Sequence, residues 1–388
     1  MENLSRKQNP YNDGKVIDSC GLFGMMSLKG NTFSGEDAMT AIANMNIRGN
    51  GLGGGLAAYG IYPDRPDQYA LHIMYENGRG REETEAFLKE SFEIVFNEEV
   101  PHRDSATGVV NPPLVWRYFV NTLGSIKEED QDDYVVEKVM FINTKIHDTF
   151  VFSSGKNMGV FKGVGFPENI GHYFCLEDYQ GYLWTAHARF PTNTQAWWGG
   201  AHPFSILDWT VVHNGEISSY GTNKNFLEMY GYFCTMFTDT EVMAYAVDLL
   251  IRQHHLPIEL MAKVLAAPLW SEIDRMPEDE KEVYTALRQV YAGLLLNGPF
   301  TVIIAHQGEM IGLGDRIRLR PLVAGLHKDM LYLSSEEAPM RLVCRDLEYS
   351  WIPKGGEPII GRLETNEVIY QDKPVVVGMD KNANTSSA

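Results

Sequence analysis

The apolar residues of this chain fall into two patterns, and the boundaries between them outline its organisation. Short dense runs read as buried strands, and stripes at helical spacing read as amphipathic helices. The first dense run lies in "VIDSCGLFGMM", which begins at Val16. There Cys20 and Gly21 open a stretch that turns apolar at once, predicting a strand over about 20–28. A second strand is predicted over about 53–62, with a helix from about Gly35 to Asn46 between the two. "GNGLGGGLAAYG" places its glycines where that helix hands over to the strand and reads as a tight turn.

From about 68 to 170 the two patterns alternate. "QYALHIMY" reads as a strand, "REETEAFLKESFEIVF" as a helix, "PLVWRYFV" as a strand and "YVVEKVMFINTKIHDTF" as a helix. The part from about 76 to 170 is expected to be an inserted α/β lobe. "GYLWTAHARF" and "WTVVHNGEI" then resume the core pattern as two strands that end in polar residues. Helices are predicted at about 222–231, 239–252, 257–265 and 278–295. Strands return in "GPFTVIIAHQGEMIGLGD", in "LVAGLHKDMLYLSSE" and near 357–371. The leader, residues 1–19, has no apolar pattern and reads as mobile, and "KNANTSSA" reads as a disordered tail. Strands clustered towards both ends, with helices between, argue for two sheets covered by helices and against a doubly wound parallel sheet.

Charge and composition narrow the function. The formal net charge is -18, whereas nucleic acid and anionic membranes need a basic surface. No apolar run is long enough to span a bilayer, and the leader lacks the apolar segment of a secretory signal. The four cysteines, Cys20, Cys175, Cys234 and Cys344, are far apart and form no CxxC pair. That spacing argues against a zinc ribbon, a disulfide framework or an iron–sulfur cluster in this chain, and it suits the cytoplasm. No GxxxxGK[ST] phosphate loop is present.

Taken alone, Cys20 reads as a core cysteine. Three later segments place polar residues where strands or helices begin or end. "AHARFPTNT" carries Arg189 and Thr192, and "VVHNGEI" carries Asn214 and Gly215. In "FTDTEV", Thr238 and Glu241 form a capping-box pattern that puts Asp239 in the first turn of a helix. Each has an ordinary explanation: a surface arginine, a turn dipeptide, a carboxylate at a helix N-terminus. Together with Cys20 they supply most of what a thiol nucleophile requires. The Asn214 amide and the Gly215 N–H make a candidate oxyanion hole. Arg189 can grip a carboxylate and Asp239 an ammonium, so a free amino acid with a side-chain amide fits. A base is missing from this set, because His187, His202 and His213 lie inside strand or turn patterns and read as core or supporting residues.

Five motifs in this order resemble the class II glutamine amidotransferases of the N-terminal-nucleophile hydrolase superfamily. They are "CGLFG" at Cys20, "RGNGLGG" from Arg48, "HARFPTNT" from His187, "HNGEI" from His213 and "TDTEV" from Thr238. "GDRIRLRPLVAG" and "SSEEAPM" add two more, so the resemblance runs from about 20 to 345, interrupted by the lobe. "RFPTNTQAWWGGAHPF" and "GTNKNFL" make the glutaminase domain of glutamate synthase the nearest likeness.

The resemblance implies an α+β fold, a four-layer αββα sandwich of two antiparallel sheets. It implies that Cys20 is the nucleophile and that its own α-amine is the base, which requires cleavage between Ser19 and Cys20. It implies a cleavable leader at 1–19, an amidotransferase domain at 20–345 and an extension at 346–388. Arg189, Thr192 and Asp239 would bind glutamine, and Asn214 and Gly215 would stabilise the oxyanion. No metal or cofactor is expected in the chain itself. The ammonia would pass to a separate glutamate-synthase-type subunit that carries FMN and an iron–sulfur cluster, with an N-methylglutamate synthase as a near variant. The alternatives are a catalytically silent glutamine-sensing subunit and an amidase of the same superfamily with another substrate.

Overall fold

The computed structural model describes residues 19–190, 196–363, 367–370 and 373–376. Two seven-stranded sheets dominate, and every pairing within them is antiparallel. The first has the strand order 349–351, 323–327, 330–334, 21–27, 183–188, 54–59, 158–163. The second runs 204–206, 209–215, 300–306, 309–314, 359–362, 367–370, 373–376.

Gly21–Ser27 sits in the middle of the first sheet, and all seven of its residues are buried. That explains why it reads as one continuous apolar run instead of an alternating one: it is covered on both faces. One cover is the second sheet. Strand 21–27 touches 209–215 and 300–306, and 183–188 touches 209–215. The approach is close because Gly24 has no side chain. A carbon built there would lie 2.9 Å from Met310 Sδ and 3.3 Å from Ile303 Cγ2. The other cover is helical. Glu36–Ala43 lays Ala38, Met39, Ala41 and Ile42 on strands 21–27 and 183–188, while Pro167–Tyr173 and Glu337–Val343 cover the neighbouring strands. On the second sheet, Asp239–Asp248 packs on strands 204–206 and 209–215, with Tyr220–Glu228 against it.

The lobe is a third, four-stranded antiparallel sheet in the order 92–99, 114–122, 69–75, 149–153. It begins earlier and ends earlier than the sequence pattern suggests, because Met158–Gly163 and Pro167–Tyr173 return to the first sheet. Two helix predictions also end too late. Gly78–Ser91 is helical, but "FEIVFNEE" is the strand Phe92–Glu99 at the sheet edge. Gln131–Lys145 is helical, after which Asp148 turns with φ +60° into the strand Thr149–Ser153. Neither junction carries a Gly or Pro in sequence to mark the break.

Candidate active site

Cys20 stands immediately before the strand Gly21–Ser27, at one end of the first sheet. Register places it beside Arg189 and Phe190, since Gly21 pairs with Ala188. The Phe190 backbone N–H donates to Cys20 Sγ at 3.4 Å. Two motif segments to which sequence reasoning attached no task converge on the same point. Arg48 Nε donates to the Cys20 carbonyl at 3.0 Å, and the Arg48 guanidinium also pairs with Glu336 of "SSEEAPM". One residue further, Leu22 N–H donates to Ser335 Oγ at 3.1 Å and Ser335 N–H to the Leu22 carbonyl at 3.0 Å. The start of the strand is therefore held from both sides.

Burial pushes the Cys20 thiol up; the Phe190 N–H, Arg189 and Arg320 pull it down and Asp239 pushes it up again, with a net rise. The thiol is thus protonated at neutral pH, and attack by it requires a base. The Arg189 guanidinium interacts with both Cys20 and Asp239. Arg320, the arginine of "GDRIRLRPLVAG", joins them, although sequence reasoning gave it no role. Its loop is folded by buried Asp315, whose carboxylate accepts from the Phe300, Ile317 and Leu319 N–H groups at 3.3, 3.0 and 2.9 Å.

Asn214 and Gly215 end the strand Trp209–Gly215 of the second sheet. Asn214 is 1% exposed, and among the described residues neither its Oδ1 nor its Nδ2 has a hydrogen-bond partner. Leaving a buried amide unpaired costs about 1–3 kcal/mol, so this amide is available to a bound water or substrate. Gly215 has φ +150°, and a side-chain carbon there would lie 2.0 Å from the Pro299 carbonyl oxygen, so only glycine fits. The two sheets are tied together at this end by His187, whose Nε2 donates to the His213 carbonyl at 2.9 Å.

Asp239 opens the helix Asp239–Asp248. Its Oδ2 accepts from the Ile217 N–H at 3.1 Å, and Oδ1 lies 3.4 Å from His213 Nδ1. Burial pushes its carboxyl up, but His213, the Ile217 N–H and the Thr240 hydroxyl outweigh that, so it stays ionised. The capping box forms only by half. Thr238 Oγ1 accepts from Thr240 N–H at 3.4 Å, but the Glu241 carboxylate passes Thr238 and takes the Thr235 and Met236 N–H groups at 3.0 and 2.9 Å. Phe237, at φ +55°, makes the turn that brings those two donors round.

The three histidines are all buried and form a network instead of a base. Thr240 Oγ1 lies 3.2 Å from His213 Nδ1 and 3.1 Å from His202 Nε2, and the His187 and His202 rings are 4.0 Å apart. Burial lowers His187 to about 3 and His202 well below its ordinary value, so both are neutral. Among the described residues no histidine is hydrogen-bonded to Cys20 Sγ, and no cluster of His, Cys, Asp or Glu is arranged to hold a metal ion. Thr192 lies outside the described residues.

A thiol thus stands at the head of a central strand with an arginine and a carboxylate near it, and an unpaired buried amide ends the strand that faces it. Residues 68–375 match the family described as "Glutamine amidotransferases class-II". The chain belongs to that family, whose members are enzymes with glutamine as substrate.

An uncharacterized protein of Archaeoglobus fulgidus is 59% identical over 358 residues, covering 91% of this chain and 94% of that one. The amidophosphoribosyltransferase of Methanocaldococcus jannaschii is 23% identical, over 48% of this chain and 35% of its own length. The glutamate synthase [NADPH] large chain of Bacillus subtilis is 24% identical, over 67% of this chain and only 18% of its own. Among solved structures, the glutamine phosphoribosylpyrophosphate amidotransferase of B. subtilis covers 93% of this chain and 50% of that one at 16% identity. Its TM-score is 0.44, too loose a likeness to argue from.

Proposed function

We propose that this chain is a glutaminase that hydrolyses L-glutamine to glutamate and ammonia, with Cys20 as its nucleophile once the α-amine of Cys20 is free. In this reading Arg189 binds the α-carboxylate of glutamine and Asp239 its α-ammonium, with Thr192 as a further contact. The α-amine takes the thiol proton, and Sγ attacks the side-chain amide carbon. Asn214 Nδ2 and the Gly215 N–H hold the oxyanion. The amide nitrogen takes the proton and leaves as ammonia, and water then cleaves the thioester to release glutamate. The observation that carries this reading is the buried Asn214 amide without a partner, at the end of a strand that faces the strand headed by Cys20.

The base in this reading is the one that the resemblance to N-terminal-nucleophile hydrolases implies, the α-amine of Cys20, with Asp239 engaged by the substrate ammonium. Arg189 and Arg320 are not proton acceptors at neutral pH, and the buried histidines make no hydrogen bond to Sγ. A terminal amine with a pKa of about 8 suits the task, whereas an amide nitrogen cannot perform it. Cleavage before Cys20 is therefore part of the proposal. So are the four-layer αββα description of the two sheets and their helices, a cytoplasmic location, and delivery of ammonia to a separate glutamate-synthase-type subunit with FMN and an iron–sulfur cluster. The test is glutamate release by protein whose chain begins at Cys20, compared with protein retaining residues 1–19. Equal rates would mean that the base is another group.

A further inference from the structure

Lys162 is a buried titratable residue that the mechanism above does not use. It lies on the strand Met158–Gly163 at the edge of the first sheet, paired with Gly55, and is 2% exposed. Its Nζ sits over the rings of Phe204 and Phe152, 4.1 and 4.9 Å from their centres. It donates to the Gly199 carbonyl at 3.0 Å. Burying an ammonium is costly, so its retention calls for a task.

The segment it holds explains the task. Gly199 and Gly200 lie in "AWWGGAHPF", which follows Arg189 in the chain after a stretch outside the described residues. A side-chain carbon on Gly200 would lie 3.5 Å from Arg189 Nη1, so this backbone forms a wall of the guanidinium's site. The same segment packs directly over Gly55, where a side-chain carbon would lie 2.4 Å from the His202 carbonyl oxygen and 2.6 Å from Lys162 Cβ. Lys162 also interacts with Glu241, whose carboxylate gathers the Thr235 and Met236 N–H groups just ahead of Asp239.

We propose that Lys162 is a positioning residue for glutamine: by fixing the Gly199 carbonyl it holds the segment from Trp197 to Pro203 in place and so sets the Arg189 guanidinium for the substrate carboxylate. The inference rests on the glutaminase reading. Burial lowers Lys162 to about 7 and raises Glu241 to about 7, so neither group is a fully committed ion, and the geometry of the anchor matters more than net charge. Lys162 touches no reacting atom, and its loss should act on binding more than on turnover.

The test uses Lys162→Met, which keeps the apolar stem, ends one atom short of Nζ and cannot donate. Steady-state kinetics with glutamine should show KM raised about tenfold and kcat changed by less than about threefold. Hydrogen exchange should quicken in residues 196–203 and stay unchanged in the strand Gly21–Ser27. Should Lys162→Met not fold, Lys162→Gln, neutral and one bond shorter, is measured in the same way. Unchanged exchange in 196–203, or a fall in kcat with KM unmoved, overturns the proposal. If wild-type protein beginning at Cys20 hydrolyses no glutamine, the glutaminase reading falls, and the exchange measurement alone decides whether Lys162 anchors the segment.

Discussion

At the scale of single residues, the proposed mechanism separates groups that act on the substrate from groups that only hold them. Cys20→Ser should abolish glutamine hydrolysis and leave the melting temperature unchanged, because the change is isosteric and removes only the sulfur. Turnover near the wild-type rate would remove Cys20 from its role. Asn214→Ala should lower kcat by about 10²–10³-fold, the usual effect of losing one oxyanion donor. Its stability should be equal to the wild type or slightly higher, because the buried amide has no partner among the described residues to lose. Activity and thermal melts on one preparation check both halves.

Glu241 gives a pH prediction. Its folded pKa, about 7, lies above the ordinary carboxyl value because burial outweighs the two backbone N–H groups and Tyr245 that it accepts from. The folded state therefore keeps a proton that the unfolded chain has lost, and stability from this group falls as pH rises from about 4.5 to about 7. Glu241→Gln copies the protonated form and does not titrate. Its urea midpoint should thus gain on the wild type between pH 5 and pH 8. A constant difference would mean that Glu241 is ionised throughout.

At the scale of elements, the helix Asp239–Asp248 links the site to the lobe. Residues 240–248 are all buried, which its sequence does not announce by any polar stripe. At its far end Asp248 accepts from Arg252 Nε at 2.8 Å, and Arg252 also pairs with Asp133 on the lobe helix. The two carboxylates are not equivalent. Asp248 is buried and Asp133 is largely exposed. Asp248→Ala should destabilise by about 3–5 kcal/mol because it removes a buried carboxylate that both the Arg252 guanidinium and the Tyr232 hydroxyl donate to. Asp133→Ala should cost no more than about 1 kcal/mol, as exposed pairs do. Denaturant melts of the two variants separate the cases, and equal losses would show that the lobe contact carries the stability.

Element boundaries were the least legible part of the sequence. "FEIVFNEE" continues an apolar stripe without a breaker, and only its pairing with Leu114–Thr122 makes it a strand. The Thr238–Glu241 pattern was read correctly as a helix start, but Glu241 was drawn to Thr235 and Met236 by the Phe237 turn, which no propensity signals.

At the scale of the whole molecule, the fold brings to one end of two facing sheets residues that are 169 to 219 positions from Cys20 in the chain: Arg189, Asn214 and Asp239. No helix among the described residues is long and apolar enough to cross a membrane. In the proposed mechanism, activation is cleavage before Cys20. Intact-mass measurement of active protein should show a chain that starts at Cys20, and full-length protein that hydrolyses glutamine without losing residues 1–19 would overturn the terminal-amine mechanism.

The sequence by itself determined the nucleophile candidate, the order of the motifs and the family, because these rest on residue types at local spacing. It also carried the buried character of the central strands, since a strand covered on both faces must be apolar throughout. Only the tertiary structure decided which polar groups meet. Arg48 and Glu336 converge on the Cys20 carbonyl, Arg320 reaches the thiol's surroundings, and Lys162 takes the Gly199 carbonyl. Each of these contacts joins segments far apart in the chain. Their partners are set by strand register and by the closeness of the two sheets, and no local pattern encodes either.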